Sequence, residues 1–237
     1  MIKVLALKYT NVTFLEECLV ENVLLIGGGG HAKSVLDFFR HSQEFKVVGI
    51  IEKDETRMEK AILGVPVIGT DAQLPLFLQK GIKNCLISLG GTGDNSLRKK
   101  LFISLKDLGF DFINAVHPTA VISEFARYGV GNVFMAGAII GPDVTISDNT
   151  IINSGAVVEH DCRIGDHVHV APGAKISGNV TIGAESHIGS GAVIIQNIKI
   201  GRNVLVGAGS VIINDIPDNT VVVGVPGRVK KYRQRAD

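Results

Sequence analysis

The sequence has no tryptophan, and aromatic residues make up only 5% of its 237 positions, while 46% are hydrophobic. A core without large rings must be built from β-branched and small side chains, which favours β structure. The chain also lacks an excess of charge, because 24 Lys and Arg face 23 Asp and Glu and leave a net charge of +1. This balance excludes the strong overall field that would attract nucleic acid or an anionic membrane surface.

Cysteine is also scarce: Cys18, Cys85 and Cys162 lie far apart and lack the spacing of metal ligands. An odd and sparse set fits buried thiols in a reducing compartment better than it fits a disulfide framework. No apolar run approaches the roughly 18 residues that a membrane-spanning helix needs. We therefore expect a cytoplasmic protein with no membrane span and no disulfide framework.

The clearest positive signal is a six-residue repeat. From Ile122 to Ile212 every sixth residue is a large apolar side chain, which gives sixteen repeats without a break. Neither the 3.6-residue period of an α-helix nor the two-residue period of a short strand would hold this spacing. Glycine often follows the apolar position, as at Gly141, and a small residue often stands four positions after it, as at Ala156. The repeat predicts a solenoid of short strands, with glycine relieving the backbone at each bend.

A pattern typical of nucleotide binding precedes the repeat. Residues 23–26 form a short apolar run that suits a buried strand, and four consecutive glycines follow before an amphipathic helix. Gly27, Gly29 and Ala32 fit the spacing G-x-G-x-x-A, in which the backbone approaches a diphosphate and the helix N-terminus offers free N–H groups. The same turn could instead serve tight packing without a ligand.

The rest of this first part alternates strands and helices. A second strand ends before Glu52, and an acidic residue at that place commonly contacts a ribose or base. This second strand is predicted at 46–51, further strands at 65–69 and 84–89, and helices at 72–79 and 96–108. The unit is smaller than a full six-stranded dinucleotide domain, which argues against NAD.

Three parts follow from these patterns. Residues 1–21 form an extension of unknown role, and residues 22–116 form the α/β domain. His117 and Pro118 mark the passage to the solenoid, because proline restrains the residue before it to an extended conformation. Residues 117–237 contain the solenoid and a polar, basic C-terminal cap.

Polar residues concentrate on the predicted coils between Asn153 and His169. Because the six-residue count never slips, no long loop projects there, and a reactive site must lie on the coil surface or between subunits. His160 stands beside Asp161, and an imidazole oriented by a carboxylate can accept a proton at neutral pH. His167 and His187 are expected to be solvated corner residues.

Several motifs in this order resemble the hexapeptide-repeat sugar acyltransferases of the sialic-acid O-acetyltransferase type. They are Gly-Gly-His-Ala-Lys at 29–33, Val-Pro-Val-Ile-Gly at 65–69, Asn95 with Arg98, His-Pro-Thr-Ala-Val at 117–121, the repeats, and Gly-Val-Pro at 224–226. The pattern is most similar to the UDP-4-amino-sugar N-acetyltransferases of bacillosamine synthesis. The resemblance implies an α/β plus all-β protein, with a small Rossmann-like nucleotide-binding domain followed by a left-handed parallel β-helix of about five triangular coils.

The resemblance also implies an activity: transfer of acetyl from acetyl-CoA to the amino group of a UDP-linked or related amino sugar, in a homotrimer without bound metal. It implies that His160 is the general base and Asp161 its partner. The residues implied for the sugar nucleotide are Gly28, Gly29, Gly30, His31, Lys33, Glu52, Lys53 and Asn153. Those implied for acetyl-CoA are His169, Gly178, Ala208, Pro226 and Lys230.

Other functions fit parts of the pattern. An O-acetyltransferase acting on sialic acid or another sugar hydroxyl needs the same base. A gamma-class carbonic anhydrase uses the same solenoid to hold zinc with three histidines, although the histidine pair five residues apart that recurs there is missing among the coil histidines. A non-catalytic nucleotide binder needs only the first domain, and a purely structural solenoid needs only the repeat.

Overall fold

A computed structural model describes residues 20–40 and 42–233 of the chain. The predicted extension and Cys18 therefore lie outside the described residues, except for the last two residues of the extension. Within the described part, an α/β domain is followed by a parallel β-helix, so the predicted two-domain fold is confirmed. No helix in that part is long and apolar enough to cross a membrane.

The α/β domain is built on one sheet of six strands, in the order β3-β4-β2-β1-β5-β6. All neighbours are parallel except β3, which pairs antiparallel with β4. The strands are β1 Glu21–Ile26, β2 Phe45–Ile51, β3 Ala61–Ile62, β4 Val65–Gly69, β5 Asn84–Ile87 and β6 Asp111–Phe112. The helices are α1 Gly30–Phe39, α2 Leu74–Gln79 and α3 Ser96–Leu108, with 3-10 turns at Glu55–Arg57 and Asp71–Gln73. The expectation of fewer than six strands is therefore wrong. The sequence predicted four strands and missed β3 and β6, because two residues carry no periodicity.

The β-helix has three faces, and consecutive strands lie on successive faces. The first face contains β7 Ala115–Val116, β10 Val133–Phe134, β13 Ile151–Ile152, β16 His169–Val170, β19 His187–Ile188, β22 Leu205–Val206, β24 Thr220–Val223 and the antiparallel β25 Arg228–Tyr232. The second contains β8 Val121–Ile122, β11 Ile139–Ile140, β14 Val157–Val158, β17 Lys175–Ile176, β20 Val193–Ile194 and β23 Val211–Ile212. The third contains β9 Arg127–Tyr128, β12 Thr145–Ile146, β15 Arg163–Ile164, β18 Thr181–Ile182 and β21 Lys199–Ile200.

From β10 to β23 the second residue of each strand points inward, and these residues form a continuous apolar column. Ile176 and Ile182 are each 1% exposed, and small corner residues such as Ala156 are fully buried. The corner glycines work differently from the prediction. Gly141 is not left-handed, but a Cβ there would lie 2.8 Å from the backbone nitrogen of His160 on the next coil. The left-handed bends fall instead two residues before a strand, as at Gly155.

The three faces differ in what their outward side chains meet. On the first face Ala115, Val133 and Ile151 pack against apolar residues of the α/β domain and are at most 1% exposed. On the second face the outward side chains are mostly apolar, and Val121 and Ile139 are 61% and 44% exposed. On the third face they are polar: Arg127, Thr145, Arg163, Thr181 and Lys199.

Arg98 of α3 joins the two domains. Its buried guanidinium donates hydrogen bonds to four backbone carbonyls. The acceptors are the oxygens of Ile87 at 2.7 Å and Leu89 at 3.0 Å in the α/β domain, and of Asn149 and Gly131 at 3.2 Å in the β-helix. This buried cation therefore ties the carboxyl end of β5 to the coils.

The inward apolar column predicts that aspartate substitutions at two neighbouring positions of one strand affect folding very differently. We expect Ile182→Asp to prevent folding, because burying an unpaired carboxylate adds a large penalty to the roughly 1.5–3 kcal/mol lost with the isoleucine. Thr181→Asp is the matched control, since Thr181 points outward on the same strand and is exposed. Thermal unfolding of both variants checks the register, and an unchanged melting curve for Ile182→Asp would show it to be misassigned.

Candidate active site

The glycine turn between β1 and α1 is held by several backbone contacts. Gly27 is left-handed, with φ +103°; its N–H donates to the Ile51 oxygen at 2.8 Å, and its oxygen accepts from Ser88 Oγ at 2.6 Å. Gly29 caps α1. Apart from the adjoining backbone, no atom of the described residues lies within 4 Å of the place where a Cβ on Gly29 or Gly30 would stand. The exposed N-terminus of α1 is therefore open to an anion.

Glu52 at the end of β2 contacts this turn directly. Its Oε2 accepts from the Gly28 N–H at 2.8 Å and from Arg57 Nη1 at 3.0 Å, and its Oε1 accepts from the Lys53 N–H at 3.0 Å. The Gly28 oxygen accepts from Arg57 Nη2 at 2.8 Å. Both polar backbone groups of Gly28 are thus occupied, and the predicted ribose contact of Glu52 stays a prediction. The side chains of Lys53 and, on α1, Lys33 are exposed.

His31, in the first turn of α1, faces the seam between the domains. Its Cβ lies 3.3 Å from where a Cβ on Gly90 would stand. Its buried Nε2 has no hydrogen-bond partner among residues 20–40 and 42–233. Burial, with a smaller effect from the charge of Arg98, lowers the pKa of His31 to about 4. The imidazole is therefore neutral at physiological pH.

His169 on β16 links the α/β domain to Asn153. Its Nδ1 lies 2.9 Å from the Gly91 oxygen, which can only accept, so Nδ1 carries the hydrogen. Its Nε2 then accepts from the Asn153 amide at 3.1 Å. Burial, followed by the charges of His187 and His31, lowers the pKa of His169 to about 3. His169 is thus a neutral imidazole whose tautomer is fixed.

The expectation that His167 and His187 are solvated is wrong, because each is only 9% exposed. His167 Nδ1 lies 2.9 Å from the Asn149 amide, and the ring meets Phe102 of α3 edge-on. His187 packs edge-on against His169, with ring centroids 4.8 Å apart. Both side chains lie where the α/β domain covers the β-helix. Their burial could not be predicted from the sequence, because it depends on contact between segments that are far apart along the chain.

His160 and Asp161 occupy the corner between the second and third faces. His160 Nδ1 lies 2.7 Å from Asp161 Oδ2, and the two side chains are 58% and 57% exposed. The hydrogen bond to Asp161 raises the pKa of His160. The ring lies against Gly178, where a Cβ would stand 2.6 Å from its Cε1. Gly178 therefore makes room for the imidazole, whose Nε2 is left to accept a proton.

Cys162, two residues from His160, is unsuited to act as a nucleophile. It is fully buried, and its thiol donates to the Ser177 oxygen at 3.2 Å. Burial raises the pKa of the thiol to about 11. The predicted burial of Cys162 is confirmed, and its lack of reactivity stays a prediction.

The remaining predicted residues are exposed and lie apart from His160. Ala208 is at a corner between the first and second faces, and Pro226 and Lys230 belong to the C-terminal cap, near and on β25. Nowhere in the described ranges do three His, Cys, Asp or Glu residues form a group that could hold a metal ion.

The predicted residues thus form two groups on different sides of the β-helix. The glycine turn, His31, His169 and Asn153 lie at or beside the first face, where the α/β domain docks. His160, Asp161 and Gly178 lie at the corner opposite that face. One chain does not bring the two groups together.

Family models match both domains. Residues 22–105 match the PglD N-terminal domain, and residues 143–178 and 179–214 match the bacterial transferase hexapeptide (six repeats). A UDP-N-acetylbacillosamine N-acetyltransferase from Bacillus subtilis (strain 168) is 37% identical over 120 residues, which cover 49% of this chain and about half (52%) of the relative.

Solved structures match over more of the chain. A histidine mutant of perosamine N-acetyltransferase from Caulobacter crescentus, in complex with CoA and GDP-perosamine, is 41% identical with a TM-score of 0.84, covering 90% of this chain and 98% of that one. The acetyltransferase domain of PglB from Neisseria gonorrhoeae FA1090, in complex with acetyl coenzyme A, is 35% identical with a TM-score of 0.78, covering 89% and 99%.

Fold and family matches together define a hexapeptide-repeat acyltransferase with a Rossmann-like α/β domain. Within that class, the chain belongs to the family of sugar N-acetyltransferases that carry a PglD-type N-terminal domain. The resemblance stated from the sequence motifs is confirmed.

The contact between His160 and Asp161 predicts a pH effect. A base must be neutral, and Asp161 raises the pKa of His160 above its usual 6.5, so kcat/KM for acetyl transfer should fall as pH drops through that raised pKa. Asp161→Asn should shift this acid limb to lower pH. Asp143→Asn is the control, because Asp143 occupies the same left-handed corner position one coil earlier. A pH profile unchanged by Asp161→Asn would contradict the pairing.

Proposed function

We propose that this protein transfers the acetyl group of acetyl-CoA to the amino group of a nucleotide-linked amino sugar of the 4-amino-4,6-dideoxy type. The observation that carries the proposal is the paired His160 and Asp161 on a β-helix, in a chain 41% identical to a perosamine N-acetyltransferase. The names of the relatives, a UDP-N-acetylbacillosamine N-acetyltransferase and a perosamine N-acetyltransferase in complex with GDP-perosamine, support UDP or GDP as the nucleotide.

The chemistry is direct attack on the thioester. The amine nitrogen forms a bond to the carbonyl carbon, and His160 Nε2 accepts the proton that the nitrogen loses. The C–S bond then breaks, and the sulfur of CoA takes a proton from the imidazolium. Asp161 stabilises this imidazolium through Nδ1–H. Orientation of two bound substrates makes a covalent relay through Cys162 unnecessary.

The sugar nucleotide binds at the glycine turn. Gly29 and Gly30 are exposed at the positive end of α1, where the first N–H groups of the helix suit a diphosphate. Neutral His31 adds a hydrogen-bonding nitrogen without placing charge in the seam. Asn153, held by His169, lies beside the same face and orients the sugar.

The second face packs against other copies of the chain in a homotrimer. Of the three faces, the first is covered by the α/β domain and the third is polar, whereas the second exposes an apolar stripe that includes Val121 and Ile139. A cyclic trimer repeats one heterologous contact three times. Each subunit therefore contacts one neighbour through one edge of its second face and the other neighbour through the other edge.

This packing joins the two groups of site residues. The second face runs from the corner that carries Asn153 to the corner that carries His160. In a cyclic trimer the sugar nucleotide held by one subunit therefore meets His160 of the next. Acetyl-CoA lies in the same cleft, between Gly178 on one side and Ala208 on the other, with Pro226 and Lys230 of the cap at its end.

The direct test is acetyl transfer from acetyl-CoA to UDP- and GDP-linked 4-amino-4,6-dideoxy sugars, with free sialic acid as an oxygen acceptor for comparison. His160→Ala should lower kcat by about two to four orders of magnitude while both substrates still bind. Cys162→Ala should change kcat little. Acetylation of sialic acid alone would replace the amino-sugar proposal, and a folded but inactive Cys162→Ala protein would reverse the assignment of the base.

A further inference from the structure

Gly28 contacts an ion pair of Glu52 and Arg57, and no sequence motif indicates that these two residues pair. Glu52 Oε2 accepts from its N–H at 2.8 Å, Arg57 Nη2 donates to its oxygen at 2.8 Å, and Arg57 Nη1 lies 3.0 Å from the same Glu52 oxygen. The three groups form a closed ring of hydrogen bonds, which fixes the peptide units on both sides of Gly28.

The space around Gly28 fits this ring closely. A Cβ at Gly28 would lie 2.8 Å from Glu52 Oε2 and 2.8 Å from Ile62 Cδ1. Glu52 is 15% exposed and Arg57 is 34% exposed. The glycine therefore lets a largely buried carboxylate approach the main chain.

The turn that presents Arg57 is itself braced. Glu55–Arg57 forms a 3-10 turn capped by Asp54, whose Oδ1 accepts from the Thr56 N–H at 3.0 Å and from Thr56 Oγ1 at 2.7 Å. The Arg57 N–H donates to the Asp54 oxygen at 3.0 Å. The guanidinium is thus delivered to Gly28 by an ordered segment.

The electrostatic consequence concerns the anion site one residue further on. The exposed N-terminus of α1 begins at Gly29, directly after the ring. A lone carboxylate at Glu52 would repel a diphosphate there, whereas Arg57 pairs with that charge and still holds the Gly28 oxygen. The pair thus shapes the turn without leaving a net negative charge beside it.

We propose that Glu52 and Arg57 are positioning residues that preset the glycine turn for a nucleoside diphosphate, and that Glu52 acts through the main chain of Gly28 instead of contacting the ribose. The inference rests on the proposed function, because it concerns the same sugar-nucleotide site. It assigns a role to Arg57, which no motif indicated.

The experiment is titration calorimetry of the intact protein with UDP, GDP and acetyl-CoA. Arg57→Gln should weaken binding of the nucleotide that the native protein prefers by about tenfold, because one charge-assisted contact is lost and Glu52 is left unpaired. The double variant Glu52→Gln/Arg57→Gln should bind that nucleotide more tightly than Arg57→Gln alone. Acetyl-CoA binding should not change in either.

Arg40→Gln is the matched control, since Arg40 also donates to a single backbone oxygen, that of Leu63, on the surface of the same domain. Arg57→Lys keeps the charge but cannot span both acceptors, so an intermediate affinity is expected. Unchanged nucleotide affinity in Arg57→Gln would overturn the inference. A double variant no better than Arg57→Gln would overturn it too, because the guanidinium would then contact the nucleotide directly. A native protein that binds neither UDP nor GDP would overturn the proposed function as well.

Discussion

The unbroken six-residue register is the constraint on which the rest of the structure depends. Three hexads complete a coil, so each residue stacks on the one eighteen positions earlier, as His187 does on His169. The inward column supplies the burial energy, and the outward residues are free to differ from face to face. One regular core therefore produces a docking face, an apolar face and a polar face.

Two histidines on this scaffold are tuned in opposite directions by where they stand. His160 projects from an exposed corner, and its bond to Asp161 raises its pKa. His169 is buried beneath the α/β domain, and its pKa falls to about 3, so it remains neutral. The first is suited to exchange protons, and the second to hold Asn153 in one orientation.

Periodicity and local motifs could predict the coils, the glycine turn and the pairing of His160 with Asp161, because each depends on neighbours in sequence. The burial of His167, the four-carbonyl contact of Arg98 and the ring around Gly28 could not be predicted, because each depends on segments brought together by folding. Short strands such as β3 carry too few residues for a pattern. The places where sequence reasoning failed therefore lie mostly at contacts between distant segments.

The central claim is that each site is shared by two subunits. The most direct measurement is acetyl transfer by mixed trimers of His160→Ala and Gly29→Val chains. The two chains carry different tags, are produced in the same cells and are purified together. Native mass spectrometry identifies the mixed trimers as species of about three times 25.2 kDa. Each variant alone should be inactive. A shared site predicts that every mixed trimer regains one intact site of three, or about a third of native activity. Mixed trimers without activity would contradict the account, because both groups would then have to come from one chain.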